Sequence, residues 1–258
     1  NTDLSRSLME SYLIKKDGKA VPFSSIDNYK TKTFMETFED RDPRYRQTFM
    51  YPGYIRPGDA KPFIPNLNLG GYTQIKFVPQ DPQQNQWGCS YNDLPLMRLG
   101  EILLIYAEAK AELGTLTQAD LDKSINQLRD RVGMPHMVLS ELTIDPTLEQ
   151  QYPNVNGNLK NAILEIRRER RVELACEGFR KDDILRWKVG KLLEMPQGVY
   201  IAELNTVFDV TGDGVTDVGV FLNKESVKPI YKKKVLYYLE EQGEKTSISL
   251  SEGDHGYI

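Results

Sequence analysis

Residues 163–187, ILEIRRERRVELACEGFRKDDILRW, combine a helical apolar period with an unusual density of charge. On a 3.6-residue period Leu159, Ala162, Ile163, Ile166, Arg170, Glu173, Leu174 and Glu177 share one face. That face starts apolar and becomes charged without changing direction. Gly178 breaks the run, and a second helical segment carries Arg180, Asp183 and Arg186 at three-residue spacing. Charged side chains on an inward face are tolerated only when they pair and their remaining hydrogen bonds are met. The stretch is therefore expected to hold a partly buried ion-pair network that fixes how two helices meet. The alternative is a solvated face of i,i+3 and i,i+4 pairs, each worth about 0.2–0.5 kcal/mol.

The remaining chain supplies what such helices pack against. Its 258 residues suffice for one large domain or two small ones. A net charge of -4 argues against non-specific nucleic-acid binding. No apolar run approaches the roughly 20 residues that cross a bilayer. Two cysteines make no disulfide framework, and Cys176 reads as a small buried residue within a helix.

Near the start, SRSLMESYLI predicts a short helix, and KDGK at 16–19 a turn. Phe34, Met35 and Phe38 fit a helical turn ended by Asp42-Pro43. Residues 50–93 are rich in Pro, Gly, Asn and scattered aromatics, with short strands expected around 49–51 and 72–77. From Leu94 a helix runs to Gly114. It is apolar nearly all round, so it should be central and buried. Thr117 and Asp120 form a capping box for the next helix, with Leu121, Ile125, Leu128 and Val132 on one face and a stop at Gly133-Met134-Pro135. The two make an αα-hairpin resembling a single tetratricopeptide-type unit. A short helix is expected at 146–152, a helical continuation at 189–195, and a β-hairpin around TGDG within 199–222. The chain thus divides into a loop-rich segment (1–93), a helical core (94–195) and a β-hairpin with tail (196–258).

Chemistry is sparse. His136 and His255 are far apart, and no nucleophile elbow, Walker loop, GxGxxG or CxxC occurs. Asp182-Asp183 and Glu240-Glu241 read better as paired or solvated charge than as a glycosidase dyad. Asp209, Thr211, Asp213 and Asp217 resemble the start of a calcium loop, but Val220 stands where a bidentate Glu is needed, so a hairpin with an Asp-Gly turn is the favoured reading. Sugar rings are met by exposed aromatics beside amide groups. Tyr72, Trp87 and Tyr91 with Asn85 and Asn92 have this make-up, and Trp87 either stacks on ligand or lies buried under its loop. Trp187 belongs to the core.

These motifs also resemble the SusD/RagB family of Bacteroidetes. Its late signature is matched by Glu169, Arg170, Arg171, Glu173, Leu174, Glu177, Gly178, Arg180, Asp183, Arg186 and Trp187; Lys181 and Asp182 replace an aromatic pair. Its helical hairpin is matched by Leu94, Pro95, Leu96, Arg98, Glu101, Leu104 and Ala107-Glu108-Ala109, then by Ile125, Asn126, Arg129, Arg131, Gly133 and Pro135. Weaker matches are Tyr12 through Pro22 and Arg41 through Arg44. The resemblance implies a mainly α, SusD-like fold with a tetratricopeptide-like hairpin, long loops and a small β-hairpin. It implies a non-enzymatic, outward-facing outer-membrane lipoprotein that binds glycan and hands it to a TonB-dependent transporter. The lipid anchor would lie outside this chain, which is expected to cover the C-terminal part of a longer protein. The alternative is a structural lid on the transporter, with ligand contacts elsewhere. A glycoside hydrolase is the least favoured reading.

Overall fold

A computed structural model describes residues 3–86, 88–194, 196–240 and 248–258. The first helix, α1 (Arg6–Ser11), starts at Ser5, whose hydroxyl accepts the Leu8 amide. Strands β1 (Ile14–Lys16) and β2 (Lys19–Val21) pair antiparallel around the KDGK turn. Asp17 and Gly18 both take positive φ there, as a tight two-residue hairpin turn demands. Helix α2 (Pro43–Thr48) is capped by Asp42, with Pro43 in its first turn. The strands expected near 49–51 and 72–77 shrink to isolated bridges, Phe49 with Gln74 and Asp3 with Thr73.

Helix α3 (Leu99–Glu112) begins later than the apolar run, because Arg98 is extended. The capping box forms as expected at Thr117 and Asp120 and starts α4 (Gln118–Asp122). The single helix expected to follow is broken at Ser124, whose hydroxyl donates to the Asp120 carbonyl at 2.6 Å, and resumes as α5 (Ile125–Arg131). Then come α6 (Pro146–Gln151), α7 (Lys160–Glu173) and α8 (Arg180–Arg186). Cys176 lies past the end of α7 at φ 65°, in the turn and not in a helix. Residues 190–193 form a 3₁₀ turn, and Met195, the end of the expected continuation, is outside the described residues. Strands β3 (Tyr200–Ile201), β4 (Thr206–Phe208), β5 (Val218–Phe221), β6 (Val235–Tyr238) and β7 (Gly256–Tyr257) complete the chain. The expected hairpin is β4–β5, and β6 adds to it in parallel, which no local signal announced.

Apolar side chains gather in two clusters. One joins Met9, Tyr12, Tyr45, Phe49 and Tyr72 to Val199, Val218 and Val220, so the loop-rich and β segments share a core. The other holds Leu104, Leu121, Ile125, Ile166 and Trp187 from the helical segment. Helix α7 serves both, giving Val172 to the first and Ile163, Leu164 and Ile166 to the second.

Between the clusters lies the charge expected from the sequence. Glu173 accepts from Arg44 (2.9 Å), Arg98 (2.6 Å) and Arg131 (2.8 Å). Glu169 pairs with Arg44 (2.6 Å) and Arg129 (3.0 Å). Arg44 is further gripped by Asp42. On the opposite side Arg170 meets both oxygens of Asp183 at 2.9 Å, and Arg186 joins Asp183 to Glu108. The Trp187 indole donates to Glu108 at 2.9 Å, within the second cluster as expected.

The structure corrects the expected centre of the molecule. Helix α7, the charged one, is buried along most of its length from Ala162 to Glu173. Helix α3, the apolar one, buries only Gly100, Leu104, Ala107, Glu108 and Ala111. Leu99, Ile102, Ile105, Tyr106 and Leu113 are exposed on its other side. Pairing neutralises the charges of α7, so they can be enclosed from two sides at once.

Glu173→Ala leaves Arg44 without one of its buried carboxylates and is expected to cost about 3–5 kcal/mol, read as a lowered denaturant midpoint. An unchanged midpoint would show that the pairs are merely solvated. Acid gives a second check. Burial alone would raise Glu169 and Glu173, but Arg44, with Arg129 on the one and Arg98 on the other, pulls both below the ordinary value. A depressed folded value means stability that is present above the unfolded pKa and lost as pH falls through the folded one. Melting temperature should hold from pH 7 to 5 and fall steeply below about 4.5, with the Glu169→Gln variant losing part of that dependence.

Candidate functional site

Two cations at distant points of the chain converge on one carboxylate. Lys76 Nζ lies 2.7 Å from Glu177 Oε1 and also donates to the Ala175 carbonyl at 2.8 Å. Arg98 reaches Glu177 Oε2 at 2.6 Å and Glu173 Oε1 at 2.6 Å. Gly100 makes room for this, since a Cβ there would collide with the Arg98 guanidinium. Burial would raise Glu177, yet hydrogen bonds from Arg98 and Lys76 hold it below the ordinary carboxylate value. Lys76 and Arg98, which flank residues 77–97, thus meet at Glu177, and the Glu173 carbonyl accepts from each as well, at 3.4 and 2.7 Å.

The loop so held is braced further, by its own turns and by one bond to Pro57 outside it. Asp81 accepts from Gln83 N at 3.0 Å and starts a 3₁₀ turn over Pro82–Asn85. Asn85 donates to the Pro57 carbonyl at 3.1 Å, Gln84 accepts from Tyr91 N at 3.3 Å, and Asn92 donates to the Phe77 carbonyl. Phe77 stands at φ 70°, a left-handed conformation that costs a bulky residue about 1–3 kcal/mol and persists where the surroundings over-determine it. On the outer surface stand Tyr91, 81% exposed, and the apolar Leu94, Leu96 and Met97, with Asn92 exposed beside Tyr91 in sequence.

The expected ligand residues are therefore divided. Tyr91, Asn85 and Asn92 share the clamped loop. Trp87 lies outside the described residues. Tyr72 is a correction: it is 1% exposed, packs among Phe34 and Phe49, and takes a hydrogen bond from Arg6 at 3.4 Å. Burial pushes its hydroxyl up to about 12, and its ring has no face to offer a sugar. Its position at the end of an alternating run gave no warning, because alternation does not say which face is inward.

The segment 209–217 forms the hairpin turn favoured over a calcium loop. Asp209 accepts from the amides of Thr211 (2.9 Å), Gly212 (2.6 Å) and Gly214 (2.8 Å). Asp217 accepts from Val210 N (3.1 Å), Thr211 N (3.2 Å) and the Thr211 hydroxyl (3.0 Å), and Asp213 from Val215 N (2.8 Å). The carboxylates tie the turn between β4 and β5, with Asp209 and Asp217 both closing on Thr211 and Asp213 bonded to its own turn. Among the described residues no group of three or more His, Cys, Asp or Glu could hold a metal. The exposed His136 faces Asp130 at 2.6 Å.

A family model described as the SusD family matches residues 1–247. The chain belongs to the SusD family. This is a family of carbohydrate-binding, non-catalytic proteins, mainly helical as this chain is. A SusD-like protein P2 of Formosa agariphila is 36% identical over 110 residues, 43% of this chain and 20% of that protein. A SusD-like carbohydrate-binding protein of Bacteroides fragilis is similar in structure, with 25% identity and a TM-score of 0.50 over 76% of this chain and 37% of that one. A second SusD-like protein of the same organism gives 21% identity and a TM-score of 0.53 over 76% of this chain and 38% of its own, a likeness of fold. The SusD-like chain described here thus spans well under half the length of those relatives. No helix among the described residues is long and apolar enough to cross a membrane.

What the sequence did not reveal is the clamp. Lys76 and Arg98 carry no motif that joins them, and Glu177 in its turn, with the Glu173 carbonyl behind it, brings both ends of the loop together. Glu177→Ala should therefore release residues 77–97 while the two cores stay folded. Amide exchange within 77–97 is expected to rise, with a stability loss of about 1.5–3 kcal/mol. Exchange in the loop equal to that of the parent would mean that its other hydrogen bonds hold it without Glu177.

Proposed function

We propose that this chain is part of a non-enzymatic cell-surface glycan binder that delivers its ligand to a TonB-dependent outer-membrane transporter. The observation that carries the reading is the aromatic loop at 77–97, fixed at both ends to a buried ion-pair network in a chain of a carbohydrate-binding family. A loop pinned to a rigid scaffold presents its side chains with little ordering left to do on binding. Tyr91 and Trp87 supply flat apolar faces, and Asn85 and Asn92 supply amide groups for hydroxyls. A lipid anchor elsewhere in the protein would hold it at the outer surface. Contacts of this kind give weak binding, micromolar to millimolar, or roughly -4 to -8 kcal/mol.

A specific observation favours a second reading, a structural role on the transporter with ligand contacts in other parts of the protein. The exposed apolar side of α3, with Leu99, Ile102, Ile105 and Leu113, is suited to protein contact. Both readings answer to one experiment. In the full-length protein, Trp87→Ala and Tyr91→Ala should each weaken oligosaccharide binding roughly three- to tenfold by calorimetry, with circular dichroism unchanged. Undiminished binding in both variants, with the transporter still recovered on a tagged bait, would leave this chain as scaffold.

A further inference from the structure

Two arginines of the charged stretch lack what their neighbours have. Arg168, Arg170 and Arg186 each meet a carboxylate. Arg171 donates instead to two hydroxyls, Ser11 Oγ at 3.1 Å and Ser7 Oγ at 2.8 Å. Arg180 donates to the Tyr152 hydroxyl at 3.2 Å. Among the described residues no carboxylate lies within ion-pair distance of either. Burial and the like charge of Arg180 push the Arg171 guanidinium down to about 10, so it remains a cation at neutral pH.

Both line one pocket of about 460 Å³, with Ser5, Ser7, Gln151 and Lys191. Its acidic members make no ion pair with either, although the charge of Glu10 acts on Arg171 from a distance. Glu10 is engaged by Arg6 at 2.9 Å, and Glu194 is exposed at the rim. A half-buried pair of guanidiniums with no carboxylate paired to either favours an oxyanion, which planar N–H forks bind well. The volume exceeds what an inorganic ion fills and falls within the range of small-molecule sites, about 300–1,000 Å³. The serine hydroxyls and the Gln151 amide are groups that meet sugar hydroxyls.

We propose that this pocket takes the carboxylate or sulfate group of an acidic sugar, held between Arg171 and Arg180. The sugar part rests on the glycan-binding reading, whereas the anion site stands on the two arginines. It is separate in sequence from the clamped loop, so the two sites are separable by mutation.

The test uses the full-length protein at fixed ionic strength and neutral pH, with glucuronate, glucose 6-sulfate, glucose and inorganic sulfate as probes. Calorimetry and thermal shift should show at least one acidic sugar binding about tenfold or more tighter than glucose. Glucuronate above glucose 6-sulfate assigns a carboxylate, and the reverse a sulfate. Arg180→Gln should remove the preference, and Arg171→Lys, which keeps the charge but loses the fork, should reduce it. Circular dichroism and the melt of Arg180→Gln confirm its fold. In the Trp87→Ala background acidic-sugar binding should still be lost on Arg180→Gln. Acidic sugars binding no better than glucose, or as well to Arg180→Gln as to the parent, would overturn the site. Inorganic sulfate as tight as glucose 6-sulfate would overturn the sugar part. Failure of neutral oligosaccharides to bind, with the acidic preference present and sensitive to Arg180→Gln, would count against the loop reading alone.

Discussion

Glu173 is the acceptor on which the rest of the molecule depends. Arg44 comes from the first apolar cluster's side, Arg131 from the helical side, and Arg98 from the start of α3. A single buried carboxylate thus ties three separate parts of the chain to α7. Carboxylate and guanidinium are each costly to enclose alone, and only a nearly complete set of partners makes their enclosure tolerable. The arrangement therefore selects one relative placement of the two clusters. A sliding interface of apolar side chains would not, because apolar contact has no preferred direction.

The neighbouring carboxylate carries the same logic outward. Glu177 lies one turn beyond Glu173, past the helix end, where the enclosure begins to open. Its partners Lys76 and Arg98 are about a quarter exposed, at 23% and 25%. One acid of the run fixes the core and the next fixes a loop, so scaffold and surface are parts of one charge network. Arg171 and Arg180 continue it on another side, where no carboxylate among the described residues pairs with them and a pocket opens.

Hydropathy and position part company in α3 and α7. The apolar helix is half outside and the charged one is inside. Sequence hydropathy counts what each side chain would prefer alone, whereas Glu169 and Arg129 are enclosed as a pair, 3.0 Å apart. Tyr72 fails in the same way: an aromatic in an alternating stretch looks available until Arg6 and Phe49 close around it.

Much was legible without the fold. The period of 163–187 determined a helix with an internal charge network, Thr117 and Asp120 determined a capped start, Asp17-Gly18 a hairpin turn, and the TGDG segment the β4–β5 pairing. These are local signals, set by backbone geometry and by the nearest few side chains. Only the tertiary structure decided that α7 and not α3 is central, that β6 joins β5 in parallel, that Asp209 and Asp217 bind their own turn's amides, and that Lys76 and Arg98 meet at Glu177. Each of these depends on groups far apart in the chain, and a pairing energy exists only once folding has brought its two members to hydrogen-bond distance and taken water from between them.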